Sequence, residues 1–418
     1  MDFPHMLRIR QDFDNTGIEN VERHVAHQFQ KIDFSSRTQP GNSVAIACSS
    51  RGIARYAEIV KATVMALSGI GLKPFLFPAM GSHGASTAEG QKQVLESYGL
   101  TEAYVGTLIR SSLETVQVGE TPDGVPVLID KLASKADHIV VINRVKSHTE
   151  FVHEFESGLM KMMTIGLGKQ KGATLYHQAF MVYGYPHVIG EVARTVMGTG
   201  RILCGVGIVE NGYAQTADIA VVMPEEVEEQ EKKLLKMAKS MAPALPFDEA
   251  DVLIIDEMGK DISGSGFDTK VVGRILMPLV AKEPDKPKIK RILVCDLTKK
   301  TAGNADGIGI ADFVIRRLVD KIDIKALYVN ALTGGEPEHA KIPLTMENDR
   351  DAIRVAIESV GLIPAKELKI IRIKNTLQLS ELDVSTAYIE KLSGRSNLEI
   401  VSRPETMKFN DAGNLLEF

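Results

Sequence analysis

The stretch NSVAIACSSRGIARYAEIVKATVMALSGIGLKPFLFPAMGSHG, residues 42–84, decides the fold. Asn42–Cys48 is a short apolar run and reads as a buried strand. SSRG closes it, and from Ile53 to Ser68 the apolar residues recur at helical spacing. Lys73–Met80 is a second strand, closed by GSHG. Past that turn a helix is expected from Thr87 to Tyr98, with Ser86 and Glu89 at the spacing of a capping box. His138–Val145 (HIVVINRV) is another strand. Strands alternating with helices imply a mostly parallel sheet.

Further along, residues 224–240 read as a charged helix and APALPF as a linker. A second α/β block follows. Its strands are expected near Val252 (VLIID), Arg291 (RILVCDL), Lys325 (KALYVNA) and Leu368 (LKIIRIK), with helices near Ala311–Lys321 and Asp349–Val360. SNLEIVSR near the C-terminus reads as a further strand, returning to either domain. The expected fold is α/β: two α/β domains with mostly parallel, Rossmann-like sheets and an active-site cleft between them. Residues 1–245 form the domain carrying the cofactor-binding and catalytic motifs. Residues 246–418 form the domain contributing substrate-binding loops.

Composition narrows the function. With 418 residues the chain buries a large core. A net charge of −5 offers no basic excess for phosphate backbones, so no nucleic-acid partner is expected. Tryptophan is absent and aromatics make up 6%, which disfavours base or sugar stacking as the main binding device. Cys48, Cys204 and Cys295 form no CxxC pair, so neither a disulfide framework nor a cysteine metal site is expected. No apolar run suits a signal peptide or a membrane span, and a cytoplasmic location with no membrane partner is expected.

Three polar motifs follow three successive strands: SSRG, GSHG and RVKSH. In an open parallel sheet, ligands bind outside the carboxyl ends of the strands. Arg51, His83 and His148 are therefore candidates for one site. His83 sits between glycines ahead of a helix start, a position that suits an anion and an acid/base imidazole; a plain turn histidine is the competing reading. Next comes KSHTEFVHEFESGLMKMMTIGLGKQKGATLYH, residues 146–177. Lys161 lies among Leu159, Met160, Met162 and Met163, a setting in which an amine loses its proton readily; a surface lysine is the alternative. Lys169 and Lys171, with Gly166, Gly168 and Gly172, read as a basic, flexible loop suited to phosphate. They are not a Walker loop, because GxxxxGK[ST] is absent. His177 reads as a ligand or as a buried structural histidine, and His153 as structural.

This order of motifs resembles the nickel-dependent lactate racemase family, whose members use a nickel-pincer nucleotide (pyridinium-3-thioamide-5-thiocarboxylic acid mononucleotide). SGLMK, Ser157–Lys161, matches the family's lysine-bearing segment, where the lysine is joined to the cofactor through a thioamide. His177, sixteen residues on, matches the nickel ligand. The resemblance implies His83 and His148 as the acid/base pair. It implies Lys161, Arg51, Ser157, Gly158 and Lys169 as cofactor contacts and His177 as the metal ligand.

The mechanism it implies is deprotonation of the substrate hydroxyl by a histidine, passage of the C2 hydride to the cofactor's pyridinium ring, and return to the other face of a planar keto acid. The expected protein is thus an isomerase acting on a 2-hydroxy acid and loaded by cofactor-synthesis proteins, with a homodimer among the expected assemblies. Arg51, Thr298, Lys299 and Asn304 are expected to bind the substrate. Cys48 replaces an acidic residue of the family and GSHG a histidine–arginine turn, so a larger acid such as an aldonate is expected rather than lactate. A nicotinamide dehydrogenase would carry GxGxxG, which is absent. A non-catalytic nucleotide-binding or sensor protein would lack Lys161 and His177.

Overall fold

The computed structural model describes residues 3–50, 52–81, 83–278 and 281–418. Two compact units emerge, Asp14–Ala242 and a second made of Met1–Phe13 with Pro243–Phe418. The break falls at the APALPF linker. Strand β1 (Met6–Gln11) joins the sheet of the C-terminal unit, so the N-terminal unit begins later than the expected residue 1.

The N-terminal unit contains β2 (Ser43–Cys48), β3 (Lys73–Pro78), β4 (Thr115–Glu120), β5 (Pro126–Asp130), β6 (His138–Arg144), β7 (Ile202–Glu210) and β8 (Thr216–Val222). Its main sheet runs β3-β2-β6-β7-β8, parallel except for β8, while β4 and β5 form a separate hairpin. Side chains alternate across each strand. Val44, Ile46 and Cys48, with Val140, Ile142, Val206 and Ile208, face helices Val21–Gln30 and Tyr56–Gly69 in one apolar cluster. The opposite face receives the segment around Lys161 and the helix Val227–Met241. Leu159 lies over Gly205 and Leu234 over Gly207, where a Cβ would strike each leucine at 2.6 and 2.7 Å. Full burial of a side chain such as Leu159 contributes about 1.5–3 kcal/mol, so the site segment is bolted to the sheet by packing.

The C-terminal unit adds β9 (Glu249–Ile255), β10 (Lys288–Val294), β11 (Phe313–Ile315), β12 (Leu344–Met346), β13 (Ile370–Ile373), β14 (Glu381–Ser385) and β15 (Leu398–Ile400). The sheet order is β12-β11-β10-β9-β13-β14-β1-β15. Pairs from β12 to β13 are parallel and the remaining three antiparallel. Apolar clusters cover both faces. The chain is thus a mixed α/β protein with mostly parallel sheets.

Three local expectations fail. KALYVNA is not a strand but part of the helix Ile324–Gly334. Asp323 caps it by accepting from the amide of Ala326, and left-handed Gly335 ends it. Only Leu327 and Ala331 of that helix are buried, a helical spacing hidden among exposed Tyr328 and Val329. Residues 311–321 hold β11 and only a short helix, Arg316–Val319. The capping box at Ser86 is absent. Thr87 is the cap of the helix Ala88–Ser97 and accepts from Gly90, while Ser86 has φ 55°.

Candidate functional site

The N-terminal unit gathers the site at the carboxyl ends of its parallel strands. Beyond β6 the chain loops through Lys146–Glu156 and returns as an antiparallel bridge, Lys146 with Ser157. Glu156, fully buried, ties this loop. Its carboxylate accepts from the amides of His148 (2.6 Å) and His153 (3.1 Å) and pairs with Lys239 at 2.5 Å. His153 lies in the loop with Nδ1 accepting from the amide of Phe155 at 3.4 Å, a local structural contact.

Gly158 follows. Its carbonyl accepts from Asn143 Nδ2 at 2.8 Å, and a Cβ there would lie 2.4 Å from Glu231 Oε1, so only glycine fits. Glu231 is fully buried beneath the start of the helical run. Its Oε2 accepts from the amide of Met160 at 2.9 Å, and Oε1 has no hydrogen-bond partner among the described residues. Burial pushes its carboxyl up to about 7, against the pull of the Met160 and Leu159 amides.

Leu159–Lys161 opens as α-helix, Met162–Gly166 widens to a π turn, and Leu167–Tyr183 continues as α-helix. Such π turns often mark functional segments. The expected flexible basic loop, GLGKQKG, is therefore helical, with one non-helical residue, Lys169, at φ 55° and ψ −162°. Lys169 is 0% exposed. Its ammonium donates to Pro78 O (2.6 Å) and Gln91 Oε1 (2.6 Å) and lies 3.6 Å from Asp130. Burial lowers its pKa to about 8 despite the Asp130 charge, and burial likewise raises Asp130. The expected phosphate contact does not fit an ammonium so enclosed.

Lys161 Nζ touches Nε2 of His148. The Glu150 amide donates to His148 Nδ1 at 3.1 Å, so Nδ1 is the acceptor nitrogen. The Glu150 carboxylate lies 4.0 Å from Nδ1. The Nζ–Nε2 contact sets the Lys161 side chain against an imidazole, and covalent attachment would need the lysine in its neutral form.

One turn of rings connects this pair to His177. His148 stacks on Phe151 (4.4 Å between centroids), Phe151 on Tyr185 (5.3 Å), Tyr185 on Phe180 (4.4 Å), and Phe180 meets His177 edge-on at 5.2 Å. His177 Nδ1 lies 2.6 Å from the carbonyl of Ala173, so Nδ1–H donates there and Nε2 carries the lone pair. A carbonyl-anchored imidazole of this kind suits metal ligation. Burial, chiefly, depresses its pKa, and the nearby Lys161 charge adds to the effect while Glu150 opposes it. Among the described residues no cluster of three or more His, Cys, Asp or Glu could hold a metal ion. A metal at His177 would therefore take further donors from a bound group, and a single imidazole near the Lys161 amine is compatible with an organic cofactor that carries its own metal ligands.

His83 lies in the turn after β3, where Gly84 adopts φ +64° and packs so tightly that a Cβ would sit 2.4 Å from the Gln91 amide. Gly81 of the same turn rests against Ala173, 3.2 Å from a would-be Cβ, next to the carbonyl that holds His177. Arg51 lies outside the described residues. Cys48, expected near the substrate, instead belongs to the apolar core, 0% exposed, with its thiol pushed up to about 12 by burial. In the C-terminal unit, Thr298 donates to Asp261 and caps the turn Lys299–Thr301. Lys299 is exposed and Asn304 accepts from the Asp306 amide at 3.2 Å. Glu156, Glu231, Gln91, Phe151, Phe180 and Tyr185 went unnoticed in the sequence. Glu231 acts through a partner 71 positions away and Gln91 binds Lys169, 78 positions on, while the roles of the others depend on a loop and ring stack that no spacing announces.

A lysine and two histidines lie at the carboxyl edge of a parallel α/β sheet, the edge at which open sheets of this kind bind ligands. Among the described residues no helix is long and apolar enough to cross a membrane. Residues 7–186 match the family described as lactate racemase N-terminal domain. The solved lactate racemase apoprotein from Thermoanaerobacterium thermosaccharolyticum is similar in fold, with a TM-score of 0.54 at 12% identity, over 90% of this chain and 99% of that one. No curated protein matches the chain in sequence.

Proposed function

We propose that the protein is a racemase or epimerase of a 2-hydroxy acid that works with a nickel-pincer nucleotide. The observation that carries this reading is the Lys161–His148 contact beside His177, whose Nδ1 is spent on a backbone carbonyl. The match to the lactate racemase N-terminal domain supports the isomerase class. Lys161 would hold the cofactor covalently and His177 would bind its nickel. When bound, the group supplies an acceptor for the hydrogen at C2, which no side chain here can provide.

The chain's own residues do the rest. With its amine held covalently by the cofactor, Lys161 would leave Nε2 of His148 facing the substrate hydroxyl. His148 then takes or returns a hydroxyl proton, and His83 does so on the other face. The Phe151–Tyr185–Phe180 rings shield the space beside His148 and His177 from water. A substrate larger than lactate, such as an aldonate, is favoured by the GSHG turn; buried Cys48 no longer supports that choice.

The test is racemisation in deuterated water, using protein produced alongside the cofactor-synthesis machinery. C2 should keep its original hydrogen while configuration scrambles. Full deuterium incorporation at C2 would mean simple proton abstraction and would end the proposal.

A further inference from the structure

Lys169 is a charged side chain sealed in the interior, on a backbone conformation that lysine avoids. A non-glycine residue with φ 55° and ψ −162° costs of the order of 1–3 kcal/mol and persists only where its surroundings impose it. What imposes it is a hydrogen-bond chain. The ammonium donates to Pro78 O at the end of β3 and to Gln91 Oε1. Gln91 is itself fully buried, and its Nε2 donates to the carbonyls of Met80 (3.2 Å), Gly81 (2.9 Å) and His83 (3.5 Å).

An amide can point either way, and here its partners decide. Oε1 must face the ammonium, so the NH₂ end must face the turn. With the ammonium gone, the reversed amide would set its oxygen against three carbonyls. Lys169 and the three carbonyls thus select the same orientation, and Lys169 anchors the oxygen end of the group that fastens both sides of the GSHG turn. Asp130, 3.6 Å from the ammonium, offsets part of the cost of burying its charge.

We infer that Lys169 is a positioning residue for His83, acting through Gln91 on the backbone of the turn that carries the histidine. The inference rests on the reading of His83 as an acid/base group only for its catalytic consequence. The placement of the imidazole can be measured without the cofactor. Lys169→Met keeps most of the unbranched side chain and removes the charge. Gln91→Glu keeps a partner for Lys169 and removes both N–H donors to the turn.

In histidine-labelled apoprotein, the His83 ring resonances, assigned through His83→Gln, should move in both variants. Those of His24, held by Ile219 O, and His187, held by Asp123, should stay in place. In loaded enzyme both variants should lose kcat by roughly 10²-fold, the scale of a 1 Å misplacement, with KM little changed. A His83 resonance that stays put in folded Gln91→Glu, or in folded Lys169→Met, overturns the inference. Loss of fold in both variants also overturns it, since the pair would then serve the fold alone. If His83→Gln itself leaves racemisation intact, the catalytic reading of His83 fails while the positioning stands or falls on the resonances.

Discussion

Replacing Glu231 with Gln should make the protein more stable at pH 8 than at pH 5, relative to wild type. Glu231 lies 0% exposed under the start of the Lys161 helix, with one oxygen unpartnered among the described residues. Its carboxyl titrates near 7 in the folded chain against an ordinary 4.5. The folded state therefore holds the proton more tightly than the unfolded one. Stability from this group is fully present below about pH 4.5 and is lost as pH rises towards 7. At about 1.4 kcal/mol per tenfold in affinity, the loss is roughly 3 kcal/mol.

Glutamine cannot ionise, so it escapes that loss. It keeps an oxygen for the Met160 amide, and any cost of its unpaired NH₂ is the same at both pH values. The assay is equilibrium urea unfolding of wild type and Glu231→Gln at pH 5 and pH 8, with amide hydrogen exchange at Met160–Thr164 to localise the effect. The difference between the two proteins should swing in favour of the glutamine by most of 3 kcal/mol on going to pH 8. An unchanged difference would show that Glu231 is ionised in both states, and the argument from burial would be wrong.

Three further outcomes are expected. Intact-mass analysis of loaded protein should show an adduct mapping to Lys161, and Lys161→Ala should lack it; an adduct surviving that change would remove Lys161 as the anchor. His177→Ala should lose nickel in elemental analysis while keeping its circular dichroism, and unchanged nickel would place the ligand elsewhere. Gly84→Ala puts a Cβ 2.4 Å from backbone at φ +64°, so thermal unfolding should register a loss of at least about 1–2 kcal/mol; an unshifted melting curve would show that the turn yields freely.

The parallel sheet of the N-terminal unit was legible because its strands are unbroken apolar runs and its helix repeats cleanly. Strand ends then located His83 and His148. Local pattern misled where a residue's role depends on distant partners. GLGKQKG looks like a loop by glycine content, yet glycines 168 and 172 merely admit the Tyr176 ring against a helix. Lys169 looks solvent-facing by charge, and only the fold brings Pro78, Gln91 and Asp130 around it. Cys48 looks like a strand-end contact, but the alternation of β2 turns it into the core. Strand β1 offered too short a pattern to stand out.

That first strand has a consequence for how the protein is made. Arg8 of β1 pairs with Asp383 of β14, 375 positions later. At about 5–20 residues per second, a ribosome needs roughly 20–75 s between the two. Throughout that interval Leu7 and Ile9 have no sheet to enter, while residues 14–242 can complete their own. An unpaired strand with an apolar face is an invitation to wrong partners. Nascent chains of this protein should therefore depend on a holding chaperone at β1, and a circular permutant carrying β1 after residue 418 should shed that dependence.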